Sequence, residues 1–162
     1  MLFMIPVIPS FAQEMSPPKE VTALSWMVGT WSGSGKIAFG GQETAVTVTV
    51  TTSFDGQFLK AVSSTKSAGF TMTKTSMTGW DVSNNEYVSY SFTNISPTAR
   101  IAHGKMDGKK LAMTSDPWEA EGMKAVSRET ILKMSDTKYG LLLEMKIGDK
   151  WNKGMDIVLT KT

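Results

Sequence analysis

The sequence predicts an all-β protein: a closed, ten-stranded antiparallel up-and-down barrel with one short N-terminal helix. Three observations carry that expectation. Apolar and polar residues alternate with period two in one segment after another. Asp-Gly, Gly-Asp and Asn-rich turns separate those segments at hairpin spacing. A single stripe of three- and four-residue spacing occurs, and it lies near the N-terminus.

The N-terminal residues come first. Met1 to Pro9 is apolar, and Ser10-Phe11-Ala12 puts small residues three and one positions before a cut ahead of Gln13. That is the pattern at the end of a secretory signal peptide. Residues 1–12 are thus expected to be a signal peptide cleaved after Ala12, residues 13–18 a linker containing Pro17-Pro18, and residues 19–162 a single barrel domain. The expected location is periplasmic or secreted. No Lys or Arg precedes the apolar stretch, so the true start of the signal is expected upstream. The stretch is too short to span a bilayer.

After Pro18, Val21, Leu24, Met27 and Val28 form the helical stripe, which Gly29 ends. Its apolar face should plug one end of the barrel. From there the period becomes two. Val46, Val48 and Val50 occupy one face of a strand, with Thr47, Thr49 and Thr51 on the other. The same alternation recurs in Val88/Tyr90/Phe92, Leu111/Met113, Leu141/Leu143/Met145/Ile147 and Met155/Ile157/Leu159. Strands are expected near 30–38, 44–54, 57–67, 70–81, 86–94, 99–106, 109–115, 125–134, 137–147 and 150–160, with ends uncertain by roughly two to four residues. Short turns favour a meander, and closing it removes exposed edges. A barrel of this strand number is wider than its side chains fill, which predicts an interior cavity.

Composition excludes several chemistries. There is no cysteine, hence no thiolate nucleophile, Cys-ligated zinc, iron–sulfur cluster or disulfide. The net charge of +2 is spread along the chain without a basic run, so nucleic acid is not expected as a partner. A lone histidine, His103, cannot assemble a zinc site. Asp55, Asp81, Asp107, Asp136 and Asp149 sit at turns, where aspartate bonds the backbone. Asp116, Glu119 and Glu121 flank Pro117-Trp118 in the longest loop, read as solvated. No nucleophile elbow or phosphate-cradling loop is present.

What remains is apolar surface and one charge. Twelve methionines is a heavy load for this length. Met113, Met134, Met145, Met155 and Met72 are placed on inward faces, where they either line an adaptable pocket or fill an irregular core. Trp31 and Trp80 stand beside glycines near strand ends, as mouth-closing residues or structural anchors; Tyr90 adds flat apolar surface. Arg128 shares parity with Val126, Thr130, Leu132 and Met134, which predicts an inward guanidinium needing a ligand carboxylate or a buried acid such as Asp156.

Leu24-x-x-Met-Val-Gly-Thr-Trp31, Phe54-Asp-Gly-Gln-Phe-Leu59, Gly79-Trp-Asp81 with Tyr87, and Gly104-x-x-Asp-Gly108 resemble a bacterial family, the "domain of unknown function fifteen seventy-nine". Arg128, the Asp136-x-x-Tyr139 turn and Lys153-Gly-Met-Asp-Ile157 extend the resemblance over residues 19–162. It implies a ten-stranded barrel similar to nitrobindin and, more distantly, to lipocalins, and it implies no activity. Nitrobindin-like proteins bind haem through a histidine near the C-terminal end. Residues 139–162 here contain none, so no haem or other cofactor is expected.

The leading expectation is a non-catalytic container for a small apolar or amphipathic ligand, held by Trp31, Trp80, Tyr90, Met113, Arg128, Met145 and Met155. Two alternatives stay open. One is a filled barrel that docks a partner through loop 116–122 and an exposed Trp118; the other is an enzyme using Arg128 and a buried acid. Oligomeric state is not legible.

Overall fold

The computed structural model describes residues 16–39, 42–120 and 123–162; the expected signal peptide and residues 13–15 of the linker lie outside them. The expected helix is two shorter pieces. An α-helical turn, α1 (Lys19–Thr22), is followed by a 3-10 turn over Ser25–Met27. Bonds from Leu24 N–H to Val21 O, Met27 N–H to Leu24 O and Val28 N–H to Ser25 O have i→i−3 spacing. Three residues per turn superimpose Val21, Leu24 and Met27 on one face. All three are buried, so the tighter winding suits the apolar stripe better than a regular α-helix would.

Eleven strands follow: β1 (Gly29–Phe39), β2 (Gln42–Asp55), β3 (Phe58–Ser67), β4 (Phe70–Asp81), β5 (Glu86–Thr93), β6 (Ser96–Asp107), β7 (Lys110–Ser115), β8 (Trp118–Ala120), β9 (Met123–Ser135), β10 (Lys138–Ile147) and β11 (Lys150–Lys161). All pairings are antiparallel. The order runs as a meander from β1 to β7, then to β9, β10 and β11. β11 returns to β1 through Trp31↔Lys161 and Ile37↔Met155, and this closes a ten-membered ring.

β8 is the eleventh strand and falls where a loop was expected. It pairs with β9 alone, through Trp118↔Ala125 and Glu119↔Lys124. Since β7 pairs with the later part of β9, β8 prolongs the line of β7 beyond the break at Asp116-Pro117. Pro117 lacks an amide hydrogen, which explains the interruption. The ring itself still counts ten.

The turns carry the residues their geometry demands. Gly56, Gly108 and Gly148 have φ of 57°, 57° and 62°, the left-handed region where an L side chain crowds its own backbone. Asn85, at φ 53°, takes the same conformation at the end of the Ser83-Asn84-Asn85 turn, and Asn tolerates it better than most residues. In that turn the Asp81 carboxylate accepts the Asn84 side-chain amide and the Asn84 and Ser83 backbone amides, which hold its pKa below the ordinary carboxylate value.

The helical segment plugs the end of the barrel where β1 starts and β4 finishes. Tyr87 donates its hydroxyl proton to Glu20 O at 2.8 Å, and the Trp31 indole donates to Met27 O at 2.8 Å. These two bonds tie the plug to β5 and β1. The densest core, with Val21, Leu24, Trp31, Val48 and Leu159 fully enclosed, sits at that end.

Candidate functional site

Above the plug the barrel interior is open. A cavity of about 170 Å³ runs along its axis. A cavity of roughly 150 Å³ takes up a benzene-sized molecule, and a water needs about 10–15 Å³, so this one holds a small ligand or on the order of ten waters. Its lining has an apolar side and a hydroxyl-rich side. Val48 and Val50 of β2, Leu141 and Leu143 of β10 and Met155 of β11 build the apolar side. The hydroxyl-rich side, on β3, β4 and β5, carries Ser63, Thr65, Ser76, Thr78, Ser89 and Ser91.

Three charged side chains line the cavity: Lys74, Arg100 and Glu129. Lys74 Nζ lies 2.5 Å from Glu129 Oε2, and both side chains are about 30% exposed. That pair neutralises itself across the barrel. Arg100 behaves differently. None of its N–H groups finds an acceptor among the described residues, and its Nε is buried. Its Cζ lies 3.7 Å from the centre of the Trp118 ring, within the range of a cation–π contact. Burial pulls its pKa below the ordinary guanidinium value, although an arginine stays charged at any physiological pH. Ser115 accepts the Ser127 amide at 2.8 Å, which leaves its own hydroxyl proton for an acceptor in the cavity.

Tyr139 lines the same space and meets Trp31 and Trp26 edge-on, at centroid distances of 4.8 and 5.9 Å. Burial, reinforced by the nearby Glu129 charge, raises its pKa well above the ordinary value. A group with a raised folded pKa contributes stability that is complete below its unfolded pKa and is lost as pH climbs toward the folded one. The barrel is therefore expected to lose stability progressively above about pH 10, the ordinary tyrosine value. Thermal melts of wild type and Tyr139→Phe from about pH 8 to pH 11 check this, since the variant should show the shallower decline.

The expected site residues divide sharply. Met113 and Met155 line the cavity, as does Met72. Trp31 is fully buried against the plug and Trp80 packs edge-on against Tyr87 at 5.0 Å; both are part of, or packed on, the core and neither lines the cavity. Met145 is half-buried and pairs with the inward Ser127, yet it too stays off the cavity wall.

Five placements are corrected. Tyr90 is 44% exposed, because the inward face of β5 carries Ser89, Ser91 and Thr93. Arg128 also points outward. Its Nε and Nη2 each contact Glu144 Oε2 at 2.8 Å, and Cζ stands 4.5 Å from the Trp151 ring centre. On β9 the inward residues are Ser127, Glu129 and Ile131, so Leu132 and Met134 are exposed on the outside. Asp156, the suggested buried acid, is exposed and paired with Lys153 at 2.8 Å. The enzyme reading built on Arg128 loses its residues. Trp118, expected to be exposed in a loop, is half-buried on β8 over Arg100.

Interior Arg100 gives no periodic signal in Pro97-Thr-Ala-Arg-Ile-Ala-His103, so sequence reading passes over it. The residues also do not fit a histidine-ligated haem. His103 lies on the opposite face of β6 from Arg100 and Ala102, and its Nδ1 is 3.0 Å from Glu86 Oε1. Among the described residues no cluster of three His, Cys, Asp or Glu side chains could hold a metal, and no helix is long and apolar enough to cross a membrane.

Among solved structures the chain is similar to the crystal structure of Rv2717c from M. tuberculosis. The TM-score is 0.66 over 90% of this chain and 99% of that one, at 14% identity. At that identity the likeness is one of fold. No curated protein matches the chain. The model of the family described as "Protein of unknown function (DUF1579)" matches residues 16–161, and the chain belongs to that family.

Proposed function

We propose that this protein binds or carries a small amphipathic ligand inside its barrel, as an exported, lipocalin-like container without catalytic activity. The observation that carries the reading is the two-sided cavity. Its apolar side suits a hydrocarbon portion, and its hydroxyls with the Arg100 cation suit a polar head. Met72, Met113 and Met155 lie along the wall, where flexible thioethers adapt to ligands of differing shape. The small volume favours a compact ligand or a short chain. Export rests on the apolar residues 1–9 and the small residues of Ser10-Phe11-Ala12.

One preparation tests both parts. The mature protein, isolated from its own host, is expected to begin at Gln13 by intact mass and to carry a small non-covalent adduct in native mass spectrometry. A bare protein whose Met72, Met113 and Met155 methyl resonances also ignore added hexan-1-ol would sink the container reading. Recovery of residues 1–12 on the native protein would sink export.

A further inference from the structure

Resting on that reading, we propose that Arg100 is the head-group site of the cavity and selects ligands bearing a single carboxylate. Of the three charged side chains on the cavity wall, Lys74 and Glu129 cancel one another, which leaves Arg100 as one positive charge without a counter-charge among the described residues. A lone charge of that kind matches a monoanion better than a phosphate dianion. Enclosing a guanidinium N–H without an acceptor is unfavourable, and the buried Arg100 Nε has none among the described residues, a partner that a ligand would supply.

The surroundings fit a planar carboxylate. The Trp118 ring covers one face of the guanidinium, while its five N–H groups lie in the guanidinium plane and remain available for a forked contact. Thr93 also lines the cavity with a buried hydroxyl that has no partner, and the Ser115 hydroxyl keeps its proton to donate. Three donor side chains from the neighbouring strands β5, β6 and β7 thus line the same cavity as its apolar side. A surface arginine can share the aromatic contact, as Arg128 does with Trp151, but its N–H groups are paired with a carboxylate. Arg128, with Glu144 and open solvent around it, is the internal contrast.

Titrating the full mature chain with hexanoate and with hexan-1-ol separates head from tail, because the two probes share a hydrocarbon chain. Binding is read from the Met72, Met113 and Met155 methyl resonances and from the Arg100 Nε–H resonance. Hexanoate is expected to bind about tenfold or more tighter than hexan-1-ol, the size of one charge-assisted hydrogen bond, and to shift the Arg100 resonance. Arg100→Gln should remove that preference while leaving hexan-1-ol affinity within about twofold, which also shows that the variant is folded. Glu129→Gln should act in the opposite direction, tightening hexanoate by freeing Lys74. Equal binding of the two probes by wild type, or undiminished hexanoate binding by Arg100→Gln, overturns the head-group assignment but leaves the container intact. If neither probe binds, the container reading falls with it.

Discussion

Trp31→Ala is expected to destabilise the barrel by about 3–5 kcal/mol, the range for emptying a fully enclosed aromatic site. For a chain of this length that corresponds to a fall in Tm of roughly 6–20 °C, measured by circular dichroism. The size of the effect follows from its position. Trp31 has no exposed surface, meets Tyr139 edge-on, and donates its indole proton to Met27 O, where the 3-10 turn ends. Removing it leaves a cavity beneath the plug and a buried carbonyl without a donor. Trp31→Phe retains most of the volume and loses chiefly the hydrogen bond, so its cost should be about 1–3 kcal/mol. Because Trp31 does not line the cavity, the phenylalanine variant should keep the ligand affinity of wild type. A large loss of affinity with little loss of stability would return Trp31 to the binding site where sequence reading placed it.

Gly104→Ala is the second large effect. A Cβ at Gly104 would stand 1.9 Å from Ala112 O, 2.8 Å from Ala112 C and 2.8 Å from Met113 Sδ. Two of those atoms are backbone and cannot swing aside, so β6 and β7 must move apart where Gly104 pairs with Met113. Overpacking of this kind costs typically about 1–3 kcal/mol, and a backbone clash belongs at the upper end or beyond. Met113 lines the cavity, so the same substitution should also weaken ligand binding. Gly140→Ala is the control. Its Cβ would meet only Met134 Sδ at 3.9 Å, and the loss of glycine's freedom in the unfolded chain predicts a neutral or slightly stabilised protein. Equal melting temperatures for Gly104→Ala and Gly140→Ala would contradict the clash.

The two arginines show how far the sequence reaches. On β9 the residues Val126, Arg128, Thr130, Leu132 and Met134 form the more apolar face, and a rule that puts apolar faces inward turns Arg128 into the cavity. The barrel does the reverse, because Ser127 pairs with Met145, and Glu129 with Met113 on one side and Leu143 on the other. β5 repeats the inversion. Its Val88, Tyr90 and Phe92 face out, and Ser89 and Ser91 face in beside Thr78 and Ser76 of β4. Where a barrel keeps a polar interior, the hydrophobicity of a single strand is a poor guide to which side is in.

The chain by itself determined the alternation of period two, the hairpin turns with their left-handed glycines, the plug stripe and hence a ten-stranded meander. Each of these is a local preference, written in residues close together in sequence. On β2 even the face was legible, since valines opposed threonines with no competing signal. Only the tertiary structure decided the faces of β5 and β9, the fusion of β8 to the line of β7, and the choice of Arg100 over Arg128 as the interior arginine. A strand has two faces, and a shift of one residue in register exchanges them all. That register is set by ten strands closing on one another, a condition that no single segment contains.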